Sequence, residues 1–257
     1  MQVTQKDKGD AFRALHAGDP FVIPNPWDAG SARMLEELGF KALATTSSGF
    51  AFTLGRPDGG ATLAELVEHV RVLSEATSLP VSVDLENGHG DPAEAIRSVS
   101  EAGAVGGSIE DWDPETGLYE RMQAVERVVA AVEAARALEP PFVLTARAEN
   151  HIRGNPDLED TIERLLAYQE AGAEVLYAPG LSTPEEIGTV CEAVDRPVNV
   201  LARANLSFAE IAQAGAQRVS VGGLLTWVAA EAARRAAEAM RDRGDFSALT
   251  ASSPLPD

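Results

Sequence analysis

Two acidic residues at the end of a short apolar segment carry the strongest chemical signal in this chain. Residues 81–85 have the pattern of a buried strand, and Asp84 and Glu86 come at its carboxyl end, just before two glycines. Because side chains alternate along a strand, the two carboxylates are predicted to point to the same face. Neighbouring carboxylates repel each other unless a cation or a proton lies between them, and oxygen ligands suit hard ions. The pair therefore predicts a Mg²⁺ site.

Two further acids extend this prediction. Glu110 lies at the end of the next predicted strand, on the same face as Ser108, and a third acid there strengthens the metal interpretation. Asp58, in a glycine-rich loop, either joins the cluster or simply favours a turn, and the local sequence does not decide between the two. Asp111 is interpreted as a capping or surface residue.

Arg147 is the candidate cation of this site. It ends a predicted strand and should share a face with Glu149. A guanidinium at the mouth of an acidic barrel can bind a substrate carboxylate through two parallel hydrogen bonds. The alternative is a structural ion pair with Glu149 or with another acid of the barrel.

The elements that must position these residues follow a simple pattern, in which short apolar segments alternate with amphipathic ones. Predicted strands cover residues 21–25, 42–46, 81–85, 106–111, 142–147, 174–179, 197–202 and 218–223. Helical patterns cover residues 31–38, 63–76, 92–101, 122–137, 158–170, 184–193, 207–214 and 224–243, and another helix lies within the first twenty residues. Eight strands in alternation with helices imply parallel pairing and right-handed crossovers.

This α/β pattern predicts a single (β/α)₈ barrel over residues 1–257. An open doubly wound sheet is the alternative, but no Gly-x-Gly-x-x-Gly turn follows the first strand. The barrel places functional residues at the carboxyl ends of its strands. The segment after the second strand contains Ser47, Ser48, Gly49 and Phe50, whose small residues let backbone N–H groups approach an anion. Taken alone, however, this segment favours a tight polar turn.

The composition of the chain limits the binding partners and the cellular compartment that we expect for it. The formal net charge of −19 argues against a nucleic-acid or anionic-membrane partner, because both need a basic face. A single cysteine, Cys191, excludes an internal disulfide and fits a reducing compartment. The first ten residues lack a signal-peptide pattern, and no run of about 18 apolar residues occurs. We therefore expect a cytoplasmic protein.

Together these segments resemble the isocitrate lyase/phosphoenolpyruvate mutase superfamily, particularly its methylisocitrate lyase-like and carboxyphosphonoenolpyruvate phosphonomutase-like members. The resemblance runs from about residue 10 to the end of the last helix. The motifs that carry it are Pro24-Asn25-Pro26-Trp27-Asp28-Ala29, Ser47-Ser48-Gly49, Asp84-x-Glu86-x-Gly88-x-Gly90, Ser108-Ile109-Glu110-Asp111 and Ala146-Arg147-x-Glu149.

The resemblance implies a (β/α)₈ barrel whose last helix is often exchanged between the subunits of a homodimer or homotetramer. It implies Mg²⁺, with Mn²⁺ as the alternative, held directly by Asp84, while Glu86, Glu110 and Asp58 hold its waters. It also implies a small carboxylate substrate. The residues expected to bind that substrate are Ser47, Ser48, Gly49, Phe50, Arg147 and Asn199, and those expected to act in catalysis are Arg147 and Glu110.

Two departures from the family pattern shape the functional hypothesis. Glu86 stands where the second aspartate is usual, and residues 112–119 lack the Lys-Lys-Cys-Gly-His lid whose cysteine is the lyases' catalytic acid. The mutase's lysine and asparagine are also missing. We predict a Mg²⁺-dependent lyase that cleaves a C–C bond of a small 2-oxo or 2-hydroxy acid, by retro-aldol cleavage or decarboxylation, through a pyruvate-type enolate.

Three questions stay open at this point. Tyr119, Glu120 and water are the candidates for the proton donor. Carbon–phosphorus chemistry is the second functional hypothesis, and Arg121 is the cation nearest to the lid that could meet a phosphoryl group. The third, from another class, is a non-catalytic barrel that binds a carboxylate metabolite.

Overall fold

The strands form one parallel sheet that curves into a barrel. The structure is a computed structural model that describes residues 3–250, 252–253 and 255. Its strands are β1 Phe21–Ile23, β2 Leu43–Ala44, β3 Val81–Asp84, β4 Gly106–Glu110, β5 Trp112–Asp113, β6 Gly117–Leu118, β7 Val143–Arg147, β8 Val175–Tyr177, β9 Val198–Leu201 and β10 Arg218–Ser220. Eight of them pair in the order β1-β10-β9-β8-β7-β4-β3-β2, while β5 and β6 form a separate antiparallel hairpin.

The seam of the sheet lies between β1 and β2. There the backbone N–H of Ala44 donates to the carbonyl of Pro24 at 3.1 Å and joins the two edges. All eight strands are parallel, and helices follow them around the outside. The predicted (β/α)₈ barrel is therefore confirmed.

Ten α-helices surround or extend the barrel in the described part of the chain. Their bounds are α1 Gln5–Leu15, α2 Ala29–Glu37, α3 Ser47–Thr53, α4 Leu63–Ala76, α5 Pro92–Glu101, α6 Arg121–Arg136, α7 Leu158–Ala171, α8 Pro184–Ala193, α9 Phe208–Gln213 and α10 Leu224–Arg243. A short 3₁₀ helix, Asn150–Ile152, follows β7. Among the described residues, no helix combines the length and apolar character that crossing a bilayer requires.

Helix α3 corrects the prediction of a tight polar turn after the second strand. The side chain of Thr46 accepts a hydrogen bond from the N–H of Gly49 at 3.3 Å, as an N-cap residue does. The small polar residues that suggested a turn therefore start a helix. The opposite end of the barrel is closed by an apolar cluster that includes Phe12 of α1 together with Phe21 and Ile23 of β1.

Candidate active site

Acidic residues and an arginine from several loops line one cavity at the carboxyl ends of the strands. The cavity measures about 250 Å³. Its lining includes five residues singled out in the sequence, namely Ser47, Asp58, Glu86, Glu110 and Arg147. Asp58 therefore joins the acidic cluster, which was one of the two alternatives for this residue.

Asp84 lies beside this cavity, at the last residue of β3. Its carboxylate accepts hydrogen bonds from the backbone N–H of Ser47 at 3.2 Å and of Glu86 at 3.3 Å. Asp84 also lines a smaller interior cavity of about 50 Å³, and Arg147 lines both. The amide of Asn199 lines the interior cavity, where it is 1% exposed and is bonded to Ser220 and Arg218.

Glu86 reaches the cluster by a different backbone path from the predicted one. The strand ends at Asp84, and Glu86 has a left-handed backbone with φ of 50°, so simple alternation does not apply to it. This conformation costs an L-residue on the order of 1–2 kcal/mol. Burial, followed by the charges of Asp84 and Asp58, raises the pKa of Glu86 to about 7. The side chain thus lies among like charges, as predicted.

The donor set fits a hard divalent cation that keeps part of its water shell. Its members are carboxylates, the ligands that Mg²⁺ prefers, and burial together with the charges of Asp84 and Asp58 favours the uncharged form of Glu86 when no cation is bound. Within the described residues, no three His, Cys, Asp or Glu side chains are grouped closely enough to ligate an ion together. The spacing of these carboxylates suits a cation that most of them contact through its bound water molecules.

Arg147 is held by two glutamates. Its Nε donates to Glu149, which is fully buried, and its Nη1 lies 3.3 Å from Oε2 of Glu110. Its Cζ lies 5.1 Å from the centre of the Tyr177 ring. Burial disfavours the charged arginine, but Glu110 and Glu149 outweigh it and raise the pKa of Arg147. Arg147 therefore forms the structural ion pair that was its alternative interpretation. Its guanidinium also lines the cavity.

Glu110 is shielded from water more than any other acid that lines the cavity. Its side chain is 8% exposed. Burial raises the pKa of Glu110 well above its usual value; Arg147 opposes this shift, while the negative charges of Glu149 and Asp84 reinforce it. A carboxyl group in such surroundings is a strong acceptor for a cation or for a positively polarised ligand.

The hairpin of β5 and β6 forms the roof of the cavity and contacts a lining residue that was not predicted from the sequence. Trp112 and Pro114 of the hairpin line the cavity together with Arg153, from the loop after β7. The Cζ atom of Arg153 lies 3.6 Å from the centre of the Trp112 ring. Nothing in the local sequence marks Arg153, because its position depends on a loop and on a hairpin 41 residues earlier in the chain.

The cation expected near the lid, Arg121, lies elsewhere. Its guanidinium forms ion pairs with Glu163 and, at 3.6 Å, with Asp160, both on α7. Arg121 is the first residue of α6, and these ion pairs connect that helix to α7. The expectation that Arg121 could meet a phosphoryl group is therefore wrong, and Arg153 is the cation beneath the roof.

Asp111 also corrects a prediction, because it is buried and not a surface residue. Its carboxylate accepts from the backbone N–H of Glu149 at 2.7 Å, from Nη1 of Arg164 at 3.0 Å and from the hydroxyl of Tyr168. It follows the last residue of β4, and its contacts with Arg164 and Tyr168 place its carboxylate between the sheet and α7. Arg164 and Tyr168 lie four residues apart on one face of that helix, which was the signal available in the sequence.

Three residues that were predicted to bind the substrate lie in α3, away from the two cavities. Within the described chain, Ser48, Gly49 and Phe50 line neither of the two cavities. The Phe50 ring is buried and stacks on His69 with 3.9 Å between ring centres. A Cβ atom on Gly49 would lie 2.6 Å from Oγ1 of Thr226 in α10, so close packing explains this glycine.

Comparison with known proteins defines the family. A family model described as phosphoenolpyruvate phosphomutase matches residues 12–241. The chain belongs to the phosphoenolpyruvate mutase/isocitrate lyase superfamily, in agreement with the resemblance seen in the sequence.

The relatives of this chain are named for more than one activity. An oxaloacetate decarboxylase of Rhodopseudomonas palustris strain TIE-1 is 34% identical over 75% of this chain and 70% of its own length. A 2-methylisocitrate lyase of Halalkalibacterium halodurans is 31% identical over 76% of this chain and 67% of its own length. A crystal structure from Burkholderia cenocepacia J2315, provisionally described as a lyase/mutase, has a TM-score of 0.93 and 52% identity over 98% of this chain and 93% of that chain. The class is therefore that of lyases and mutases.

Proposed function

We propose that this protein is a Mg²⁺-dependent lyase that cleaves a carbon–carbon bond of a small 2-oxo or 2-hydroxy carboxylic acid. The observation that carries the proposal is the shared cavity of Asp58, Glu86, Glu110 and Arg147, with Asp84 beside it. Its volume of about 250 Å³ is below the roughly 300–1,000 Å³ of pockets for drug-sized ligands, so it suits a small acid.

The acids would hold the cation, and enzymes of the superfamily generally depend on a divalent metal ion. Asp84 would be a direct ligand, while Glu86, Glu110 and Asp58 would hold its waters; Mn²⁺ would suit the same donors. When bound, the ion would supply positive charge next to the oxygens of the 2-oxo acid and so stabilise the negative charge that develops as the bond breaks.

The protein's own residues would orient and shield the substrate. Arg147 is fixed by Glu110 and Glu149, so its charge is aligned before the substrate arrives and needs no reorganisation during the reaction. The roof formed by Trp112 and Pro114 would exclude bulk water from the developing enolate. The backbone N–H of Ser47 now donates to Asp84 and borders the place where a carboxylate would lie.

The proton that completes the reaction would come from water. Within the described chain, neither Tyr119 nor Glu120 lines the cavity. The hydroxyl of Tyr119 instead lies 3.3 Å from the side chain of Asn87 and 3.4 Å from Asp113. Decarboxylation of a 2-oxo diacid leaves a pyruvate-type enolate that water can protonate. Retro-aldol cleavage of a 2-hydroxy acid removes the hydroxyl proton and releases pyruvate as the keto product, and the proton from water then goes to the carbanion of the other product.

A substrate panel tests the proposal. Oxaloacetate, 2-methylisocitrate, 2,3-dimethylmalate and phosphonopyruvate are incubated with the protein, with and without Mg²⁺, and pyruvate is measured with a coupled dehydrogenase. Blanks without protein correct for the spontaneous, metal-promoted loss of CO₂ from oxaloacetate. Pyruvate release that requires both protein and Mg²⁺ is expected with at least one of the three carbon acids. No such release would contradict the proposal and favour the non-catalytic barrel.

Two variants test whether the measured pyruvate release depends on the residues of this site. Asp84→Asn keeps the size of the side chain and removes its charge, so Mg²⁺-dependent release should be lost while the thermal unfolding midpoint changes little. Glu115→Gln is the matched control, because it removes one exposed acid near the roof and should leave activity unchanged. Equal activity of Asp84→Asn and the natural chain would refute the metal role of Asp84.

Carbon–phosphorus chemistry is a second candidate, favoured by the match to the phosphoenolpyruvate phosphomutase model. The phosphonopyruvate arm distinguishes it, because hydrolysis of the C–P bond would release phosphate together with pyruvate. Residues 112–119 contain no lysine or cysteine, which weighs against both known lid chemistries of the family.

We also propose that the protein forms a homodimer or homotetramer in the cytoplasm. The supporting feature is α10, which exposes 41% of Trp227 and 67% of Val228, two large apolar side chains on the last helix. Light scattering coupled to size exclusion measures the mass directly, and a single 27.1 kDa species would contradict this expectation.

A further inference from the structure

Arg153 has hydrogen-bonding capacity that its protein contacts do not use. Its Nε donates to Oε2 of Glu149 at 2.8 Å, and its Nη2 lies 3.8 Å from Oε1 of Glu110, beyond hydrogen-bond distance. Within the described chain, neither terminal nitrogen of Arg153 makes a hydrogen bond to a protein group. The side chain is 32% exposed and lines the cavity.

Trp112 limits how this guanidinium can meet a ligand. The indole ring covers the flat face of Arg153, with the Cζ atom 3.6 Å from the ring centre. Stacking occupies that face and leaves the N–H groups along the edge of the guanidinium for an anion, which they can bind in bidentate fashion. The roof and Arg153 therefore form a preorganised anion-binding group on one side of the cavity.

The neighbouring arginine is engaged more fully. Arg147 interacts with both Glu110 and Glu149 at closer range and is 16% exposed. Under the proposed function, the acids that would hold the metal ion act together with Arg147 on the 2-oxo acid end of a substrate. A second guanidinium with free donors suits a second anionic group on the substrate.

We propose that Arg153 binds the distal carboxylate of a small dicarboxylic acid and so selects diacids over monoacids. This inference rests on the proposed function and narrows its substrate class to 2-oxo or 2-hydroxy dicarboxylic acids. Arg153 is a specificity-determining residue, because it contacts the end of the substrate away from the group held by the metal.

Calorimetry in the presence of Mg²⁺ tests this assignment with two ligands, only one of which carries a distal carboxylate. Oxalate presents only the chelating end, whereas 3,3-difluorooxaloacetate presents that end and a distal carboxylate. Arg153→Gln is expected to raise the Kd for 3,3-difluorooxaloacetate by roughly 10- to 100-fold, the usual effect of losing a charge-assisted contact, and to leave the Kd for oxalate within about twofold. Arg121→Gln is the matched control and should change neither Kd, since Arg121 pairs with α7.

A second variant allows the test to be made if Arg153→Gln folds poorly after losing its ion pair with Glu149. Arg153→Lys retains the charge but lacks the planar fork, so it should weaken 3,3-difluorooxaloacetate by a smaller factor and again spare oxalate. Thermal unfolding of each variant shows whether the fold is kept. Equal weakening of both ligands by the folded variants would mean that Arg153 only supports Glu149 and would overturn the inference.

The other possible outcomes distinguish failure of the Arg153 assignment from failure of the proposed function. If phosphonopyruvate binding depends on Arg153 while 3,3-difluorooxaloacetate binding does not, the distal group is a phosphonate and the dicarboxylate assignment is wrong. If the natural chain binds neither oxalate nor 3,3-difluorooxaloacetate with Mg²⁺, the proposed function itself fails, and this inference fails with it. Normal oxalate binding with unchanged 3,3-difluorooxaloacetate binding in the variants overturns the role of Arg153 alone.

Discussion

Replacement of Asp111 by alanine should damage both stability and catalysis, although this residue lies outside the cavity. Its carboxylate connects the end of β7 to α7, through the N–H of Glu149 on one side and through Arg164 and Tyr168 on the other. Its own N–H donates to the carbonyl of Arg147 at 3.2 Å. Asp111 therefore fixes the backbone that carries Arg147 and Glu149 into the site.

The size of the effect follows from the buried charge that remains. Arg164 has a side-chain exposure of 8%, so the loss of Asp111 leaves a buried guanidinium without its closest anion. Removing one partner of a buried pair costs about 3–5 kcal/mol. Arg164 retains Asp160 at 3.1 Å and the carbonyl of Tyr119 at 3.0 Å, so we expect about 3 kcal/mol for Asp111→Ala. Tyr168→Phe removes only one hydrogen bond and should cost about 1 kcal/mol.

Urea unfolding followed by circular dichroism measures both values, and steady-state kinetics on the active substrate gives the catalytic effect. A shift of about 1 Å in the strand end can cost on the order of 100-fold in rate, so kcat should fall more than KM rises in Asp111→Ala. Tyr168→Phe should retain most of the activity. If Asp111→Ala loses less than about 1 kcal/mol, or if its kcat is unchanged, Asp111 does not hold the site as described.

Three further predictions test other parts of the structure. Arg147→Lys should lower kcat by at least about 100-fold in steady-state assays, because an ammonium cannot bridge Glu110 and Glu149 as the guanidinium does; a change confined to KM would make Arg147 only a binding anchor. Gly49→Ala should lower stability by about 1–3 kcal/mol in urea unfolding, because the added Cβ would lie 2.6 Å from Thr226; equal stability would show that α3 and α10 can separate without cost. His16→Gln should reduce the loss of stability in acid, because burial, followed by the charge of Arg218, lowers the pKa of His16 from 6.5 to about 3. As the pH falls from about 6.5 towards 3, the unfolded chain takes up a proton that the folded chain does not, so between pH 7.5 and 5.5 the natural chain should lose about 1.4 kcal/mol more than the variant, and parallel curves would contradict the shift.

The parts of the fold that were predictable from sequence are those set by local pattern. Each strand of the barrel is an apolar segment, helices alternate with these strands, and helices end at glycines such as Gly103 and Gly172, whose φ values of 105° and 104° are those of left-handed caps. The same logic predicted acids at the strand ends, because the carboxyl ends of parallel strands meet at one face of the barrel. Asp84, Glu110 and Arg147 needed no more than this rule.

The remaining features of the site depend on contacts between segments that are far apart in the sequence. Alternation failed at Glu86 because β3 ends two residues earlier, where the backbone turns into the left-handed region and the carboxylate approaches Asp58 from another loop. Arg153 follows an irregular segment, and only its ion pair with Glu149 and its stacking on Trp112 bring it to the cavity. A local motif indicates which residues end a strand, but it does not show which loop returns over them. Loops of this kind carry the residues that distinguish activities built on one fold, so Arg153 and the hairpin next to it are where the substrate specificity of this barrel should be sought.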